Sequence, residues 1–134
     1  VGELGINAAL CGHYGVPVLL VTGDTAVCRE STELLGEGLT TVAVKKGLSR
    51  YSARNIPAVR ARKMIEEGAY QALQNLTAVK PYVPAKPTKI TIEIDTPDKA
   101  RDFKGRHGVE FINPLKVVST GDDWMTAWDQ VWHW

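Results

Sequence analysis

The sequence is poor in thiols and in long apolar runs. Its two cysteines, Cys11 and Cys28, form no Cys-X-X-Cys pair and have no histidine at metal-ligand spacing. This gives no support to a cysteine-built zinc site, and it fits a reducing compartment better than a disulfide framework. The longest apolar run, Val16–Val21, is far too short to span a bilayer. No signal peptide or targeting motif is visible, so no membrane partner and a cytoplasmic location are expected. An excess of one charge is missing as well: the net charge is +1, with no general pull toward nucleic acid. No HExxH occurs, and no GxSxG or SxxK surrounds Ser31, Ser49, Ser52 or Ser119, so a serine nucleophile has no support. Internal repeats and low-complexity tracts are absent.

What is present suits a folded domain. The 134 residues are 44% apolar and 23% charged, near globular averages. Helix-forming residues run from Glu3 to Tyr14, with apolar side chains on nearly every face, which predicts a helix covered on most sides. Pro17 to Thr22 reads as a buried parallel strand. Asp24 is placed to cap a helix over Thr25–Leu35, ended by Gly36 and Gly38, and Thr40–Lys45 reads as a second strand. The α-β-α-β order predicts an α/β layered sheet with helices, at least partly parallel. Residues 46–56 read as an extended loop, and Pro57 as the first position of a helix reaching about Asn75.

Residues 80–87, with Pro81, Pro84 and Pro87, must be extended and are the best linker between a portion at 1–79 and a smaller mixed α+β portion at 88–134. In the latter, Lys89–Asp95 alternates with Ile90, Ile92 and Ile94 inward, and Thr96-Pro97-Asp98 starts a helix reaching about Lys104. One or two short strands are expected around Asn113 and Pro114. A last helix, capped near Asp123, carries Trp124, Trp128, Val131 and Trp132 as one stripe and runs to Trp134. That stripe reads as core or subunit interface.

Few residues stand out chemically. Glu3 is the single charge between Val1 and Gly23. A carboxylate buried in so apolar a setting needs a cation, a metal or several donors; otherwise it is a first-turn glutamate favoured by the helix dipole and bonded to Asn7. Asp24 lies at the carboxyl end of a strand, where α/β sheets bind ligands, although helix capping also explains it. His13, His107 and His133 lack partners at ligand spacing and read as structural. Residues 45–63 hold Lys45, Lys46, Arg50, Arg54, Arg60, Arg62 and Lys63 and no acid. Such a stretch can receive a substrate carboxylate or a phosphate, or it can be a solvated or subunit-facing surface.

The run from Val1-Gly2-Glu3-Leu4-Gly5-Ile6-Asn7 to Ala9 and the run GHYGVPVLLVTGD from Gly12 to Asp24 together resemble the mid-chain segment of the zinc-dependent D-aminopeptidases of the bacterial dipeptide-transport operon. The likeness continues through TVAVK (Thr41–Lys45), Ser49, Arg50, the Ala-rich helix ending near Gln74, and GDDW (Gly121–Trp124), so it covers essentially the whole chain. It implies a cytoplasmic, ring-like homo-oligomer of two-domain α/β subunits that removes N-terminal D-residues from short peptides with a pair of zinc ions. The glutamate of the family's Gly-Glu-[hydrophobic]-Gly motif is a zinc ligand and matches Glu3. The family's other ligands, and its proposed catalytic histidine, lie in a first half that has no counterpart here. No residue of this chain is therefore assigned a catalytic role.

The resemblance makes residues 1–79 the later part of a metal-binding core, with Asn7, Asp24 and Arg50 as candidate substrate contacts or structural supports. The chain is expected to be the C-terminal half of such an enzyme, needing the missing N-terminal half as partner. Alone it is expected to bind zinc weakly and to turn over nothing. Two other readings stay open: a non-catalytic assembly module of the same fold, favoured by the Trp-rich end, and an anion-binding module using residues 45–63.

Overall fold

The computed structural model describes residues 1–132 as two compact units, Val1–Tyr82 and a second from Val83 onward. In the first, helix α1 (Glu3–His13) packs through its smallest residues: Gly5, Ala8, Ala9 and Gly12 are its buried positions. The approach is close at Gly12, where a Cβ would run into the backbone carbonyl of Tyr82. Strand β1 (Leu20–Asp24) follows, and Asp24 hands the chain directly to helix α2 (Thr25–Leu35). Gly36, at φ 93°, ends that helix in a conformation that favours glycine.

Strand β2 (Thr40–Ser49) then lies parallel to β1, pairing Leu20 with Thr40 through Gly23 with Ala43. A parallel pair needs a crossover connection between its strands, and α2 supplies it. Strand β3 (Ser52–Asn55) pairs antiparallel with the far half of β2, giving the order β1-β2-β3. Helix α3 (Ala58–Leu73) packs on this sheet, and its Gly68 lets the helix backbone approach Val42.

Four expectations change here. Residues 46–56 are not a loop: most of them form the β2–β3 hairpin, whose ladder runs from Lys45–Asn55 to Ser49–Ser52. Backbone pairing needs no apolar side chains, and every residue from Lys45 to Asn55 is exposed, so no buried alternation marks the ribbon in the sequence. Pro57 is the N-cap of α3 rather than its first turn. Strand β1 starts at Leu20, not Pro17, and is half-buried rather than buried. Helix α1 is fully buried only along its Gly/Ala stripe, with Leu4, Ile6 and Cys11 half-buried and Leu10 38% exposed.

The second unit is an antiparallel sheet of order β4-β6-β5. Strand β4 (Thr88–Glu93) leads to a short helix α4 (Pro97–Arg101), then to β5 (Val109–Asn113), β6 (Lys116–Gly121) and α5 (Trp124–Asp129). In β4 the isoleucines Ile90 and Ile92 are half-buried while Lys89, Thr91 and Glu93 face solvent, as the alternation predicts. The central strand β6 carries the core, with Val117 and Ser119 fully buried. The Ser119 hydroxyl donates to the Ala127 carbonyl at 2.7 Å, and its oxygen accepts from the Gln130 amide at 2.7 Å. The same Gln130 amide nitrogen reaches the Gly108 and Thr120 carbonyls at 3.0 and 3.2 Å. One side chain thus ties α5 to β6 and to the chain entering β5.

Both helices of this unit are shorter than the sequence suggests. Helix α4 ends at Arg101 and α5 at Asp129. The stripe survives as a stack: Trp124 lies parallel to Trp128 at 5.6 Å, and Trp128 to Trp132 at 5.1 Å. The continuation of the last helix to Trp134, and His133, lie outside the described residues.

Candidate functional site

Glu3 sits in the first turn of α1, where the helix dipole favours a carboxylate. No side chain caps this turn. Instead the backbone nitrogen of Gly2 donates to Glu30 Oε1 of α2 at 3.2 Å, which fixes the approach to Glu3. The Glu3 side chain is exposed, and neither it nor Asn7 has a side-chain hydrogen bond among the described residues. The burial argument for Glu3 is therefore corrected. The helix buries a stripe of Gly5, Ala8, Ala9 and Gly12, Glu3 falls outside it, and no desolvation cost demands a counter-ion within this chain. The expected bond from Glu3 to Asn7 is absent too. Glu3 and Asn7, one helical turn apart, leave a carboxylate and an amide free on successive turns.

A free carboxylate suits a divalent cation but cannot hold one. Zinc is held by three or four ligands, and among the described residues no group of three His, Cys, Asp or Glu could hold a metal ion. The residues present thus fit part of a zinc ligand set and not the whole. His13 is exposed and edge-on to the Tyr14 ring at 5.0 Å, and His107 is exposed; neither joins Glu3 in a cluster.

Asp24 is occupied as a cap. Its Oδ1 accepts from the backbone nitrogens of Ala26 at 3.1 Å and Val27 at 2.9 Å, satisfying two of the donors that open α2. The carboxylate also reaches Cys28 electrostatically. Burial pushes that thiol up and the Asp24 charge adds to it, while hydrogen bonds involving Thr41 and Val42 oppose them.

The basic stretch divides in the structure. Arg50 lies at the hairpin turn, its guanidinium 5.6 Å above the Tyr51 ring. Lys45, Lys46, Arg54 and Arg60 gather instead around a cleft of about 290 Å³ lined also by Thr25, Asn55 and Ile56. Sequence reasoning found the charges but not this grouping. It depends on the hairpin, which pairs Lys46 with Arg54 across the ribbon, and on α3 starting just beyond it. Strict pairing counted outward from the Arg50–Tyr51 turn would set Lys46 opposite Asn55; the register shift between Gly47 and Ser49, which nothing in the sequence marks, sets it opposite Arg54.

Comparison with known proteins places this geometry. The family model Peptidase_M55, described as D-aminopeptidase, matches residues 1–132. A D-aminopeptidase of Bacillus subtilis (strain 168) is 41% identical over 93 residues, which is 69% of this chain and 34% of that protein. Among solved structures, the Zn-dependent D-aminopeptidase DppA from Bacillus subtilis, described as a self-compartmentalizing protease, superposes with a TM-score of 0.90 at 33% identity. The match covers 97% of this chain and 47% of that one, so the chain spans less than half the length of the relatives it resembles.

Proposed function

Since this chain belongs to the D-aminopeptidase family Peptidase_M55, we propose that it forms part of a zinc-dependent aminopeptidase that releases N-terminal D-residues, of the D-Ala type, from short peptides. The observation that carries this reading is the superposition on a Zn-dependent D-aminopeptidase across 97% of the chain. Glu3, free and uncompensated at the start of α1, is proposed as the chain's contribution to a pair of zinc ions, the other ligands coming from residues outside this sequence. Zinc, when bound, supplies Lewis acidity and a water acidic enough to attack at neutral pH. The chain's own residues do quieter work: Glu30 accepts from the Gly2 nitrogen beside Glu3, Asn7 offers an amide one turn on, and Asp24 caps α2.

Arg50 is proposed as a structural support of the hairpin tip rather than a substrate contact, because its guanidinium is engaged with Tyr51. Assembly into a homo-oligomer is proposed from the structural neighbour's description as self-compartmentalizing. A cytoplasmic setting is proposed from the two free thiols, Cys11 and Cys28; among the described residues no helix is long and apolar enough to cross a membrane. The test is a chimera in which this chain replaces the matching portion of the Bacillus subtilis enzyme. Zinc-dependent release of D-Ala from D-Ala-D-Ala, with L-Ala-L-Ala left intact, is the expected outcome. A folded, zinc-loaded chimera that cleaves neither, or cleaves the L-peptide equally well, contradicts the reading.

A further inference from the structure

Four cations face one cleft without a counter-charge. Lys45, Lys46, Arg54 and Arg60 line it, and no lining residue is acidic. Some basic side chains elsewhere pair with acids, as in Lys63–Glu67, Lys99–Asp95 and Lys116–Glu93, and Arg50, Lys104 and Arg106 lie over aromatic rings. None of the four cleft cations has a carboxylate within ion-pair distance among the described residues. Asp24, paired with Lys45 in the sheet, is engaged through Oδ1 in capping α2, and its Oδ2 faces Gly47. Four like charges brought together and left unpaired repel one another, a cost that an anion in the cleft would offset.

Three further features point the same way. The cleft lies where the parallel pairing of β1 and β2 ends, the edge at which α/β sheets bind small ligands. It opens on the start of α3, a helix of 16 residues whose N-cap, Pro57, supplies no side-chain acceptor, so no side chain caps its exposed first-turn N–H groups. Thr25 and Asn55 add neutral hydrogen-bonding groups, and Ala43, Ile56 and Pro57 form an apolar wall. A volume of about 290 Å³, at the low end of small-molecule sites, suits a small ligand, and no aromatic side chain among the lining residues offers a base a stacking surface.

We infer that this cleft binds the C-terminal carboxylate of a short peptide, with Arg54 and Arg60 as the principal donors and the apolar wall beside the terminal side chain. The inference rests on the peptidase reading for its choice of peptide over other carboxylates. Binding at such a site selects short substrates with a free C-terminus, since a longer chain or an amide places no charge there.

The test needs no turnover, which keeps it separate from the catalytic reading. In amide-resolved NMR titrations of this chain, D-Ala-D-Ala is expected to shift the backbone signals of Lys46, Arg54, Asn55 and Arg60. D-Ala-D-Ala-amide is expected to bind at least about tenfold more weakly, as loss of a charge-assisted pair requires. Arg54→Gln with Arg60→Gln should remove the difference while the remaining spectrum stays in place. Equal shifts with acid and amide, or none with either, overturn the inference. Inorganic phosphate shifting these signals at lower concentration than the dipeptide overturns the carboxylate assignment in favour of a phosphate site. Signals at these residues that move with protein concentration alone also overturn it, because the cations then serve contact between copies of the chain.

Discussion

Asp24 shows how one carboxylate settles a local structure. It takes two backbone N–H groups at the start of α2, and its charge adds to the burial that raises the Cys28 thiol. Asp24→Ala is expected to destabilise the chain by about 0.5–2 kcal/mol, and Asp24→Asn by much less, in urea denaturation followed by circular dichroism. The Cys28 thiol is raised above its ordinary value of 9.0, by burial first and by Asp24 second. Folding therefore favours the protonated form. The stability this contributes is complete below the unfolded thiol's pKa and is lost as pH rises through the folded one. The urea midpoint should fall more steeply above about pH 9 in the parent chain than in Cys28→Ala. The cap was legible in the sequence because Asp before a helical run has a local cause. The state of Glu3 was not, since its exposure depends on which face of α1 the rest of the fold covers, and that face is set by Gly5, Ala8, Ala9 and Gly12 rather than by the larger Leu4, Ile6 and Leu10.

Elements whose limits are set by special backbone or small residues were legible; those set by pairing alone were not. Gly36 ends α2 as expected, and the β4 isoleucines alternate as expected. The β2–β3 ribbon was invisible because it buries neither face and turns at Arg50–Tyr51, with no Asn-Gly or Asp-Gly to announce it. With that ribbon went the grouping of Lys46, Arg54 and Arg60. Close packing makes two sharp tests at this scale. Gly12→Ala drives a Cβ into the Tyr82 carbonyl and should cost about 1–3 kcal/mol, read as a lowered urea midpoint. Ser119→Ala removes the buried hydroxyl between Ala127 and Gln130 and leaves the Ala127 carbonyl without that donor. Its expected cost is about 1–3 kcal/mol, with loss of amide-exchange protection in β5 and β6.

For the whole molecule, the family was legible in the first 24 residues, and the α/β architecture in the order of elements. A metal site was not, because zinc ligands are typically far apart in sequence, and the described residues bring together no group of three. What the chain offers is the start of α1, joined to α2 by the Gly2–Glu30 hydrogen bond, carrying an exposed Glu3. The measurement that tests this most directly is the zinc content of the chimera with the Bacillus subtilis D-aminopeptidase, by metal analysis after dialysis, for the parent and for Glu3→Gln. If Glu3 is a ligand, Glu3→Gln should fold normally, hold less zinc per chain, and weaken metal affinity by more than the roughly 10–100-fold that loss of an outer-sphere partner costs. A folded Glu3→Gln chimera with the parent's zinc content and the parent's rate of D-Ala release would contradict the account.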